Sequence, residues 1–140
     1  IPHQKLAVQW DVCQEILMWE NYYGVQHPGW RDEILNVQKR LGEAVPAGAE
    51  LGYHLCYGSP VDEHLLMPKD MGVMVEMTNG IVEAVGRPIE FFHLPVPKDR
   101  SDDAWQAAAA TNIDPRSERR SHQHQLRRVD DVPDPDRIER

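Results

Sequence analysis

The chain has 140 residues, with 15 basic against 23 acidic side chains, a net charge of −8 at neutral pH. Hydrophobic residues at 41% and charged residues at 27% give a globular balance. No run approaches the roughly 20 apolar residues of a membrane span, and an acidic chain is a poor ligand for a phosphate backbone, so membrane and nucleic-acid partners are both disfavoured.

Lys5–Val12 reads as a strand, with Val8, Trp10 and Val12 on one face and Ala7, Gln9 and Asp11 on the other. A short helix is expected from Cys13 to about Asn21, then a loop over Gly24–Gly29. From Trp30, the positions Ile34, Val37, Leu41 and Ala44/Val45 recur at helical spacing until Val45-Pro46-Ala47-Gly48 stops them. Glu50–Tyr57 is the second strand and Pro60 to Met67 a loop. Pro68-Lys69-Asp70 opens a third helix whose core face is Met71, Met74, Val75, Thr78, Ile81, Val82 and Val85, with Met77 extending it. Gly86 stands where a left-handed C-cap is wanted, and Glu76 and Glu83 fall on the outer, solvated face. Ile89–Leu94 is the third strand. The order β-α-β-α-β predicts an α/β fold with parallel strands, right-handed crossovers and outer helices.

Residues 101–140 differ in kind. They hold 9 acidic residues and 7 arginines, no lysine and few large apolar side chains. That composition cannot bury enough surface to offset the ordering entropy, so 106–140 reads as a disordered tail, beyond a short helical extension at Ala107–Ala110. There is no initiator methionine, and a strand opens within a few residues of the start. The expectation is a segment cut from something longer. No secretory signal is present, which points to a reducing cytoplasm where Cys13 and Cys56 stay free thiols.

In parallel α/β folds the functional groups collect at the carboxyl ends of strands. Those ends offer Gln9 and Asp11, then His54 and Cys56, then Glu90 or His93. Positions i and i+2 of a strand share a face, so His54 and Cys56 can converge on one ion, and imidazole with thiolate suits zinc. The same H-x-C pairing also arises in ordinary packing. Glu90 and His93 alternate onto opposite faces; His93, nearer the functional end, is the preferred third ligand, against a histidine that merely bonds a loop carbonyl. Asp11 and Gln9 share a face and could receive a polar substrate group such as an ammonium, or Asp11 could cap the following helix. Cys13 reads as helix packing, and His64 as a loop residue within reach of the strand ends. No phosphate loop, G-x-G-x-x-G, G-x-S-x-G or H-E-x-x-H occurs.

The segments LAVQWDV, GYHLCYGSP and MPKDMGVMVEMTNGIVEAVGRPIEFFHLPVP resemble the cobalamin-independent methionine synthase superfamily, over roughly residues 1–105. The resemblance implies three strands of a partial (β/α)8 TIM barrel, with residues 1–105 as the barrel segment and 106–140 as the tail. It implies zinc held by His54 and Cys56, with His93 where the family places a third ligand, usually Glu. Asp11 matches the strand-end aspartate that holds the amino group of an amino-acid acceptor. The implied activity is zinc-dependent methyl transfer from a bound donor to a small-molecule thiol. The sequence departs from that pattern in lacking a cysteine after residue 94 and the later strands. Two alternatives follow: a non-catalytic barrel fragment that self-associates through open sheet edges, and a metal-free barrel resembling uroporphyrinogen decarboxylase, for which the strand ends are short of Arg and Lys.

Overall fold

The computed structural model describes residues 1–58 and 64–95. The expected 106–140 tail, the helical extension at Ala107–Ala110 and part of the Pro60–Met67 loop lie outside the described residues. A single 3-10 turn at His3–Lys5 leads into β1 (Ala7–Asp11), α1 (Cys13–Trp19), α2 (Trp30–Ala44), β2 (Glu50–His54), α3 (Gly72–Ala84) and β3 (Phe91–His93). The strands form one parallel sheet in the order β1-β2-β3. The fold is α/β with parallel strands, as the alternation predicts. Among the described residues, the first crossover carries two helices and the second carries one.

Strand alternation divides the sheet into two unlike faces. Val8, Trp10, Leu51, Tyr53, Leu55, Tyr57, Phe92 and Leu94 belong to the core shared with the helices. Trp10 reaches across to donate its indole N–H to Leu41 O of α2 (3.1 Å), and the Tyr53 hydroxyl donates to Gln38 O (2.8 Å). The opposite face carries Gln9, Asp11, Gly52, His54, Cys56, Phe91 and His93, none of them in the core. Gly52 is obligatory there because the Phe91 ring lies over it: a Cβ at this position would stand 2.1 Å from Phe91 Cζ.

The helices correct several sequence expectations. In α2 the buried positions are Ile34, Gln38 and Gly42, whereas Val37 is 42% exposed. The helix docks through its smallest residue: a Cβ on Gly42 would sit 2.6 Å from the Tyr53 hydroxyl oxygen, so the close approach rotates Val37 outward. Helix α3 starts at Gly72 rather than at Pro68, because Asp70 Oδ1 takes the Gly72 N–H (2.8 Å) in a turn ahead of it. Its core face holds Met71, Met74, Val75, Met77, Thr78 and Ile81, with Val85 buried just beyond and Val82 only half-buried. Gly86 is not left-handed; the chain leaves the helix through extended Val85 (φ −78°, ψ 119°), whose N–H still reaches Ile81 O. Glu76 is not simply solvated, since it accepts the Trp19 indole N–H (2.9 Å) and pairs with Arg31 (2.5 Å). Arg31 in turn lies 5.0 Å and 5.2 Å from the Trp19 and Trp30 rings, which meet edge to face. One carboxylate thereby ties the three helices together. The strands are shorter than the apolar runs, β1 losing Lys5, Leu6 and Val12 and β3 reduced to three residues. Single backbone bonds continue the ladder beyond them, from Val12 N–H to His54 O (2.9 Å) and from Leu55 N–H to His93 O (3.0 Å).

Candidate metal centre

Register builds this site. Parallel pairing sets Asp11 opposite His54, and His54 opposite His93. Residues directly paired in a parallel sheet point to the same side, so one row of three polar side chains crosses the non-core face at the carboxyl ends of the strands. The row beneath it is Gln9, Gly52 and Phe91, whose ring forms an apolar floor. Cys56, two residues past His54, returns to the same face above the row.

The ligand atoms of Asp11, His54 and Cys56 all lie within 4.8 Å of one another, with Asp11 exposed and the other two half-buried. A carboxylate oxygen, an imidazole nitrogen and a sulfur at that separation make a mixed donor set of the kind zinc accepts. Burial, then the neighbouring His93, lowers the His54 pKa, and the Asp11 charge only partly opposes them. The ring is therefore neutral near pH 7, the form that can donate a lone pair to a cation.

His93 joins the cluster as a partner of His54 and is not one of the three converging donors. The two Nδ1 atoms are 2.9 Å apart and the ring centroids 4.7 Å apart. A hydrogen bond to one ring nitrogen fixes the orientation of an imidazole, as outer partners do for metal-bound histidines. Glu90, the alternative to His93, is spent at the opposite end of the sheet: its Oε2 accepts the Leu51 N–H (2.7 Å) and its own N–H donates to Leu51 O (2.8 Å). Gln9 sits one row below Asp11, exposed. His64 packs edge-on against Tyr57, a core residue, and is not among the converging donors.

Asp11 also serves the chain itself. Its Oδ1 accepts the N–H of Cys13 (3.1 Å) at the start of α1, while Val12 occupies the N-cap position without a side-chain bond. That bond orients the carboxylate on the face it shares with His54. Sequence reasoning placed Cys13 in helix packing. It is the first residue of α1, where burial, then the neighbouring Cys56, Asp11 and Glu15, push its thiol pKa up to about 11.

No helix among the described residues is long and apolar enough to cross a membrane. Comparison with models of known protein families, with curated proteins and with solved structures gives no match to this chain.

Proposed function

We propose that this chain is a segment of a methionine-synthase-like barrel that holds one zinc ion and, within a completed barrel, transfers a methyl group to a small-molecule thiol. The observation that carries the reading is the convergence of Asp11, His54 and Cys56 at the carboxyl ends of adjacent parallel strands. The strand order β1-β2-β3, with all strands parallel, the helices on one face and polar groups on the other, supports a barrel segment. In such a barrel the polar face would be the lumen. Bound zinc would lower the pKa of a thiol acceptor, making it nucleophilic near neutral pH. The chain's own residues hold and shape the site. His54 and Cys56 are the metal donors, His93 steadies the His54 ring, and the Phe91 ring with Gly52 gives an apolar floor that keeps water from below. Asp11 is either a third donor or the anion that receives an acceptor's ammonium group, and Gln9 stands beside it for a second polar contact.

The three strands, whose polar face no described helix covers, favour one second reading, a fragment that binds metal without turning over substrate. The experiment that separates these readings from a chain with no metal site is the zinc content of the folded, monodisperse protein beside the His54→Ala/Cys56→Ala variant. The expected result is about one zinc per chain, lost in the double variant. A folded wild-type chain without saturable zinc overturns the proposal and leaves a non-catalytic fragment.

A further inference from the structure

We propose that the outer edge of β1 pairs antiparallel with β1 of a second copy of this chain, joining two sheets into one about a two-fold axis at Gln9. The pairing is that of the 140-residue chain and does not depend on the metal-binding reading; a further parallel strand on the same edge would compete with it. The parallel ladder fixes which backbone groups are left over. Val12 N–H donates to His54 O and Glu50 N–H donates to Leu6 O, so the even-numbered residues of this stretch turn their N–H and C=O groups toward β2. Backbone groups alternate along a strand, and those of Ala7, Gln9 and Asp11 therefore point away from the sheet. No strand among the described residues pairs with them. All three residues are exposed. Val8 and Trp10 are only half-buried, whereas Leu51 and Tyr53 beside them on β2 are wholly buried, so the core side of the sheet is incompletely covered at this edge. The other edge offers less: β3 is three residues long, and since His93 O accepts the Leu55 N–H, Phe92 alone in that strand turns its backbone groups outward.

A second copy fits β1 in one symmetric register. The outward residues are centred on Gln9, so Gln9 pairs with its own counterpart and Ala7 with Asp11 of the other copy, and every outward N–H finds an outward carbonyl. Residues directly opposite each other share a face, which sets Val8 against Trp10 of the other copy on the core side, a β-branched residue against an aromatic one. The charges match as well. Lys5 precedes the strand and Asp11 ends it, so antiparallel pairing brings the basic end of each copy to the acidic end of the other, with uncharged Gln9 at the axis. No proline and no central charge guards this edge against another strand.

Sedimentation equilibrium of the full chain over a concentration series is the test, and the mass should rise from 16.1 kDa toward twice that value. Gln9→Pro removes an outward N–H from each copy but none that β2 receives, so the variant should keep its circular dichroism while association weakens about 10-fold or more. Gln9→Lys sets two ammonium groups at the axis, and it should weaken association in a way that high salt restores. A wild-type chain that stays monomeric overturns the proposal, as does a dimer whose strength Gln9→Lys leaves unchanged. Amide hydrogen exchange locates the contact without a variant: protection of the Ala7, Gln9 and Asp11 N–H groups should rise with chain concentration. Fast exchange of these amides at every concentration overturns the pairing. Protection that does not depend on concentration overturns it too, and would show that another segment of the same chain covers the edge.

Discussion

Arg87 closes the end of the sheet opposite the candidate metal centre, and its removal offers a quantitative test of how the α2–β2 turn is held. Its guanidinium donates to Val45 O (2.6 Å) and Ala49 O (2.7 Å), with a longer contact to Pro46 O (3.4 Å). Three carbonyls of the turn that delivers β2 thus depend on one side chain that follows α3. Hydrogen bonds from a charged donor contribute about 1.5–3 kcal/mol each, and two of these are short. The carbonyls border an open cleft of about 600 Å³ lined in part by Glu43, Glu50, Arg87 and Glu90, so water can take over the abandoned acceptors. Two such bonds amount to about 3–6 kcal/mol, and rehydration brings the loss for Arg87→Met to or just below the lower end, about 2–3 kcal/mol in all. For a domain of this size that is a fall of roughly 10–15 °C in Tm. Arg87→Lys, with a single point of donation, should recover about half of the loss, since it cannot span both carbonyls. Urea titration followed by circular dichroism measures both variants. Arg87→Met within about 0.5 kcal/mol of wild type would refute the clamp, as that is the range of an uninvolved surface change.

Two further outcomes follow from the packing. Glu20 ends α1, and its pKa is raised by burial and then by the Asp70 charge, with the Tyr57 hydroxyl partly offsetting both. A carboxyl whose folded pKa is raised binds more protons folded than unfolded, so stability falls as pH climbs above its ordinary 4.5. Glu20→Gln should therefore be more stable than wild type at pH 7, with the advantage shrinking as pH drops toward 4.5; a pH-independent difference in chemical denaturation would contradict this. Gly42→Ala gains about 1 kcal/mol of helix propensity, yet its Cβ would press on the Tyr53 hydroxyl at 2.6 Å and on Val85 Cγ1 at 3.0 Å. Overpacking costs about 1–3 kcal/mol, so the variant should be destabilised, and Tyr53→Phe should absorb part of that cost by removing the hydroxyl. Strict additivity in the double-mutant cycle would show that the two groups do not meet.

Local patterning carried much of the architecture. The face Met71, Met74, Val75, Thr78, Ile81 and Val85 is readable because each apolar side chain follows the helical period and meets the core. The alternation of Val8, Trp10 and Val12 with Ala7, Gln9 and Asp11 is readable for the same reason, at a period of two. Helix α2 is where that logic fails. Its Gly42 is required by the approach of a tyrosine hydroxyl on β2 and its buried Gln38 donates to Glu15 of α1, and no count of apolar residues along the helix can register partners that lie elsewhere in the chain. Glu76 is exposed on the outer face as its spacing predicts, but its partners Trp19 and Arg31 are 57 and 45 residues away and leave no local signal.

The candidate site divides along the same line. From the sequence came the alternation of strand and helix, hence parallel strands, and the two-residue spacing that sets His54 and Cys56 on one face. Those follow from backbone geometry, which each residue expresses locally. The tertiary structure decided that Asp11 faces His54, and that His93 supports the ring while Glu90 braces the far end. All of these depend on strand register, where a slip of one residue would turn every donor to the other side of the sheet. Register is set by the packing of the whole core, from Tyr53 under α2 to Phe91 over Gly52, and so belongs to no single stretch of the chain.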